Sequence, residues 1–219
     1  MRTSARSLLV LTLLAGQASC KKDDVSEPPP VVPPAPLAVS TFSQLDTGNY
    51  WVYERRQVDS LDVVQGTGLV LDSLYVTGDT TLNGEEYTVI RKATNGAVTP
   101  IRYFWRDSAD CIVSSEGEVL FASATFDQVI HSSYSGGPDG LQIDHVVQSG
   151  TMPVSVPAGE FTAYLVLGQC TSIGNFPVIP EWKYPRTYWT GGVGRVKWYA
   201  YFASGSLGYR YELVRYHVG

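Results

Sequence analysis

Turn-forming pairs recur between short β-branched and aromatic runs from residue 50 to the end of this 219-residue chain, and that rhythm leaves room for little but strands. Asn83-Gly84 and Asn95-Gly96 suit a positive φ at both centres of a type I′ hairpin turn. Asp79 to Gly84 is read as turning the chain, Asp107–Asp110 as a further turn, and Gly136-Gly137-Pro138-Asp139-Gly140 as a loop. Predicted strands are Tyr50–Val58, Leu69–Val76, Tyr87–Lys92, Ile101–Arg106, Cys111–Ser114 and Val119–Ala122. Gln128–Ser132, Leu141–Gln148, Phe161–Cys170, Thr187–Trp189, Val193–Phe202 and Tyr209–His217 complete the set. No stretch sustains a 3.6-residue apolar period with caps, and only Thr41–Asp46, ahead of Gly48, has room for a helical turn. Strands spaced about 8–12 residues apart predict an all-β fold. We expect an antiparallel, strongly curved sheet, a half-barrel or an open barrel, with little helix.

The first 40 residues follow other rules. Met1, Arg2 and Arg6 precede an apolar stretch, Leu8–Ala15, then small Ala18 and Ser19, then Cys20-Lys21-Lys22-Asp23-Asp24. Leu8–Ala15 is too short to span a bilayer, which takes roughly 20 apolar residues, and the order is that of a secretory leader. It resembles a bacterial lipoprotein signal, with Gln17 where such signals usually have leucine. The resemblance implies that Cys20 becomes the lipidated first residue of the mature chain, held by several acyl chains where a single one would bind only marginally. The other reading is an ordinary leader cut near Ala18-Ser19. From Glu27 to Pro36 proline dominates. Proline has no N–H to give, so this run favours extended polyproline II and stands the following domain off a membrane by roughly 30 Å. The expected division is residues 1–19 as leader, 20–40 as lipidated cysteine and proline-rich tether, and 41–219 as a single β domain. The expected location is the cell envelope, anchored in the outer membrane.

Charge excludes one class of partner. Of 16 Lys and Arg, Arg2 and Arg6 lie in the leader, so 14 remain against 21 Asp and Glu, a formal −7. Nucleic acid requires a basic face, and none is expected as partner. With Cys20 acylated, Cys111 and Cys170 are an even remainder in an oxidising compartment. They are read either as a disulfide worth roughly 4 kcal/mol in the chain-entropy model or as two small buried thiols.

Catalytic and metal constellations are not expected. His131, His145 and His217 stand at no metal-binding spacing. Asp144 and His145 are neighbours that point apart on a strand. Glu85-Glu86 and Glu116-x-Glu118 read as solvated turn charges, and no nucleophile elbow is present. The Gly191-Gly192-Val193-Gly194 run lacks the Lys-Ser/Thr of a phosphate loop and reads as a hairpin or bulge. No enzyme activity, cofactor or metal is predicted.

Four motifs carry a wider resemblance: Gly48-Asn49-Tyr50-Trp51-Val52-Tyr53, the segment Gly78-Asp79-Thr80-Thr81-Leu82-Asn83-Gly84-Glu85-Glu86-Tyr87, Val156-Pro157-Ala158-Gly159-Glu160-Phe161, and Gly192-Val193-Gly194-Arg195-Val196-Lys197. The set is similar to a broad group of uncharacterised β-rich bacterial lipoproteins. That similarity implies a strongly curved antiparallel sheet, somewhat like the lipoprotein-carrier half-barrels, and brings no activity or catalytic residues. Where Arg195 stands, the group's pattern more often has an apolar residue. Read from the residues alone, Val156 to Phe161 is strand, type II turn and strand.

Aromatic residues are the surplus, 12% of the chain. Strand neighbours face opposite sides, so consecutive rings such as Tyr103-Phe104-Trp105 must line both faces of the sheet. Rings beyond the core either serve as strand formers with a polar tip or line a ligand groove. The candidate site is Trp182, Tyr184, Tyr188, Trp189, Trp198 and Tyr201, with Trp189 and Trp198 flanking the Gly191–Gly194 turn as a cross-strand pair. The functional expectation is a non-catalytic binding or carrier module for an apolar ligand or an envelope partner. The alternative is a structural or interaction subunit with no small-molecule ligand.

Overall fold

The computed structural model describes residues 37–203 and 205–219; the leader, Cys20 and the proline run lie outside the described residues. One helical turn, α1 (Ser40–Ser43), precedes thirteen strands. These are β1 (Tyr50–Val58), β2 (Val70–Leu82), β3 (Glu85–Thr94), β4 (Ala97–Ser108), β5 (Cys111–Ser114), β6 (Val119–Ala122) and β7 (Val129–Ser135). Then come β8 (Gly140–Val147), β9 (Met152–Val156), β10 (Gly159–Ile173), β11 (Arg186–Thr190), β12 (Gly194–Tyr201) and β13 (Gly208–His217). A 3-10 turn, Glu181–Lys183, lies between β10 and β11.

Every ladder is antiparallel, in the order β6-β5-β4-β3-β2-β1-β13-β12-β11-β10-β8-β7. β9 pairs with the first five residues of β10, whose later part joins β11 and β8. β6 and β7, the two ends of the order, approach each other without a ladder between them. The result is the expected all-β architecture, an antiparallel sheet curled into an open barrel that is nearly closed. Among the described residues no helix is long and apolar enough to cross a membrane.

Turn chemistry explains the hairpins. Asn83 and Gly84 have φ of 54° and 86°, and Asn95 and Gly96 have 49° and 82°, as a type I′ turn requires. β2 runs on through Asp79-Thr80-Thr81, which the sequence placed in the turn, because a register shift between Val76 and Gly78 absorbs one extra residue there. Glu85 and Glu86 accordingly open a strand and are not turn residues. The β9–β10 turn is not type II: the positive φ falls on Gly159 (135°), and Ala158 keeps a negative one. The Ala158 N–H instead donates to the Leu213 carbonyl (2.9 Å), tying this hairpin to β13.

Residues directly opposite on antiparallel strands share a face. Trp51 opposes Leu74, Tyr53 opposes Asp72 and Leu213, Trp105 opposes Ser114, and Ile112 opposes Phe121. Trp51, Leu74, Tyr53, Leu213, Trp105, Ile112, Phe121 and Trp189 converge in one buried cluster inside the barrel. α1 drops Phe42 into it, with ring centroids 4.6 Å from Phe121 and 5.8 Å from Tyr164. Trp51 Nε1–H donates to the Val193 carbonyl at 2.6 Å, and the Gly192 N–H to the Thr41 carbonyl at 2.8 Å. The helical turn and the β11–β12 turn therefore brace each other.

Of the two readings of Cys111 and Cys170, the structure has the unpaired thiols, both half-buried. Cys111 is on β5, between β4 and β6, and Cys170 is on β10 beside β8.

Candidate ligand-binding site

The packed interior gives way on one side to a basin of about 420 Å³, partly open to solvent. Its walls come from the inward rows of four strands: Lys92 on β3, Tyr103 and Trp105 on β4, Arg195 and Trp198 on β12, and Tyr211 on β13. Glu116 and Glu118, from the β5–β6 turn, stand at its edge. A recess of about 100 Å³ continues past Arg195 and Glu118 to Trp189, Thr187, His131 and His145.

Register explains why these side chains meet. Trp198 opposes Tyr211 on one side and Thr187 on the other. A register shift between Tyr188 and Trp189 inserts Val196 as an extra residue, so that Trp189 opposes Arg195. The bulge keeps both Arg195 and Trp198 on the interior face. Trp198 and Tyr211 stack at 4.2 Å with 7° between planes, while Tyr53 meets Trp198 edge-on at 4.6 Å. The Arg195 guanidinium lies 3.9 Å from the Trp198 ring centroid and 5.5 Å from that of Trp105, within cation–π range of both.

Charge inside the barrel is arranged unevenly. Asp72, 2% exposed, accepts a hydrogen bond from Thr94 Oγ1 (2.7 Å) and stands 3.2 Å from Lys92 Nζ and 3.5 Å from Arg55 Nε. Arg195 has no carboxylate within 4.0 Å among the described residues, and its Nε–H has no acceptor. Trp189, 2% exposed, likewise holds an Nε1–H without an acceptor. Burial pushes the Tyr53 phenol up to about 12, partly offset by the nearby Arg195 charge, and its hydroxyl donates to the Arg195 carbonyl at 2.8 Å. His145 is lowered, first by burial and then by the charge of His131, against the opposing pull of Asp144. The two imidazoles are 5.9 Å apart.

Of the six aromatics named from the sequence, the sheet separates rather than gathers them. Trp189 and Trp198 face the interior, but Trp189 opposes Arg195, so the two indoles are not a direct cross-strand pair. Tyr188 is opposite Lys197 and packs on the outer face. There Tyr201 stacks on Tyr199 at 5.9 Å, Trp182 meets Tyr201 edge-on at 5.4 Å, and Tyr184 donates its hydroxyl hydrogen to the Cys170 carbonyl at 3.2 Å. Strand alternation is the reason. Beside these rings a polar cluster holds the 59–65 segment: Tyr199 donates to Asp62 Oδ2 (2.9 Å), and Arg210 bridges Asp62 (3.1 Å) and Glu212 (3.0 Å). Tyr103, Tyr211, Arg195 and the Trp189 N–H were not among the predicted site residues. A separate, wider groove near α1 is ringed by Asp46, Asp79, Glu85, Glu86 and Asp107, with Arg106 paired to Glu85 at 3.6 Å. Among the described residues no group of three His, Cys, Asp or Glu is placed to hold a metal ion.

Fold and site together define an all-β open barrel with an aromatic, cation-bearing interior. No family model matches the chain, and no curated protein matches it. Two solved structures follow a related chain path. One is a protein of Bacteroides fragilis described as exported and as having a YmcC-like fold, at 12% identity and TM-score 0.45, covering 78% of this chain and 96% of its own. The other, from Parabacteroides distasonis and described as a lipoprotein, matches at 14% identity and TM-score 0.41, over 81% and 98%. Both likenesses are loose.

Proposed function

We propose that this is a lipid-anchored protein of the bacterial cell envelope, held in the outer membrane through Cys20, that binds a small and largely apolar ligand without transforming it. The observation that carries the reading is the partly open basin itself. The rest of the interior is closed by packed rings, yet here Trp105, Trp198, Tyr103 and Tyr211 line about 420 Å³ of space, within the range of small-molecule sites. Stacked aromatic walls with one cation suit recognition by contact and orientation. The Cys20 leader and the proline run supply the anchor and the spacer.

Native mass spectrometry of the full chain carrying Cys20→Ser, purified from cells without detergent, tests it. We expect a bound small-molecule mass that disappears in Trp198→Ala. A single unliganded mass, unchanged by added envelope extract, would reject the binding role.

A further inference from the structure

We propose that the ligand of this basin is an organic anion, with an apolar or aromatic body against Trp105 and Trp198 and an oxyanion group received by Arg195 and Trp189. The assignment rests on the binding role proposed above and names the chemistry of that site.

Two donors carry it. Trp189 Nε1–H and Arg195 Nε–H are buried, belong to directly opposed residues, and have no acceptor among the described residues. Buried donors in folded proteins are nearly always satisfied, and each one left unmade costs about 1–3 kcal/mol. Arg55, Arg91, Arg106, Arg186 and Arg210 also hold an Nε–H without an acceptor, but Arg195 is the one that directly opposes Trp189 and lines the same recess, and the two together mark a place where acceptor oxygens belong. Charge agrees. Arg55, Arg56, Arg106, Arg210, Lys92 and Lys197 each have a carboxylate within 4.0 Å, whereas Arg195 has none. Arg91, Arg102, Arg186, Arg215 and Lys183 also lack one, but Arg102 and Arg215 are exposed, Arg91 opposes Arg102, Lys183 donates to the Ala203 carbonyl, and Arg186 donates to the Trp182 carbonyl and the Tyr201 hydroxyl. Stacking on Trp198 holds the Arg195 guanidinium by its flat face, leaving its in-plane N–H groups for an oxyanion. Glu118 lines both the basin and the recess and is the like charge that an anion must pass.

The test uses one ring system with and without its charge: 8-anilino-1-naphthalenesulfonate and neutral N-phenyl-1-naphthylamine, titrated by fluorescence into the full chain carrying Cys20→Ser. We expect the sulfonate to bind about tenfold more tightly at low salt, with the margin shrinking as salt rises. Arg195→Gln should bring the affinities for the two dyes together, with Arg195→Lys recovering part of the margin. Glu118→Gln should widen the margin of the sulfonate over the neutral dye about two- to threefold. Should Arg195→Gln fail to fold, Arg195→Lys, Glu118→Gln and the salt series decide the matter. Equal binding of the two dyes, or a margin that survives the loss of the guanidinium, overturns the anion assignment while the basin still binds. If neither dye binds, the binding role fails and the anion assignment with it.

Discussion

Tyr53 is the residue most deeply committed to its environment. It is 2% exposed, stands edge-on to Trp198, and donates to the Arg195 carbonyl, so the wall of the basin rests on a phenol without water around it. Burial raises its pKa to about 12, above the roughly 10 of an unfolded chain. The folded state therefore holds the proton more tightly. This contribution to stability is complete below pH 10 and is lost as pH rises through 12. The full loss is about 3 kcal/mol, of which about 2 kcal/mol is gone by pH 11.5. Tyr188, Tyr199 and Tyr201 are raised as well, chiefly by burial, and steepen the same decline. Urea denaturation at pH 9 and pH 11.5 measures it. Tyr53→Phe should cost about 1 kcal/mol at pH 7 through the lost hydrogen bond and should flatten the alkaline decline. An alkaline decline as steep in Tyr53→Phe as in the parent chain would place the titrating groups elsewhere.

Among the elements, the β11–β12 hairpin decides whether the basin exists, because it carries Trp189, Arg195 and Trp198 and is braced by α1. Gly194 is the pivot: its φ is 98°, and a Cβ there would stand 3.1 Å from the Phe42 carbonyl oxygen and 3.7 Å from Trp51 Nε1. Gly194→Ala meets both the left-handed strain and that contact. We expect a loss of about 1–3 kcal/mol in denaturation, with tryptophan emission shifted as α1 loosens. A neutral substitution would show that the turn is not held against α1. Much at this scale was legible in the sequence. The Asn-Gly pairs forecast two hairpins, and the β-rich rhythm forecast nearly every strand. Even the interior charge left a trace: Val70, Asp72, Leu74 and Val76 alternate on one face of β2, so Asp72 interrupts an otherwise apolar row. The shifts of register were not legible. A bulge such as Val196 depends on how two strands seat against each other, and it brought Arg195 in place of Val196 opposite Trp189. Strand alternation divided the six predicted aromatics between two faces, and the cation opposite Trp189 went unnoticed apart from its departure from the related motif.

At the scale of the whole molecule, closure and attachment are separate problems. β13 pairs with β1 and β12, linking the last strand to the first across the full length of the domain, a long-range pairing that no local pattern encodes. Attachment, by contrast, is written in a short stretch of sequence. Without residues 1–19 the chain is acidic, at a formal −7, so its net charge gives no attraction to anionic lipid. Among the described residues no helix could anchor it in a bilayer. On the proposed reading, residence at a membrane depends on acyl chains at Cys20, more than one being required for stable anchoring. Cys20→Ser should move the protein from the membrane fraction to the soluble fraction of the envelope, in a form that still binds 8-anilino-1-naphthalenesulfonate. Shortening the proline run with Cys20 intact should leave it membrane-bound, since a spacer sets distance and not affinity. A Cys20→Ser chain that stays with the membrane through a high-salt wash would refute the lipid anchor and turn attention to the barrel surface itself as the part that holds the bilayer.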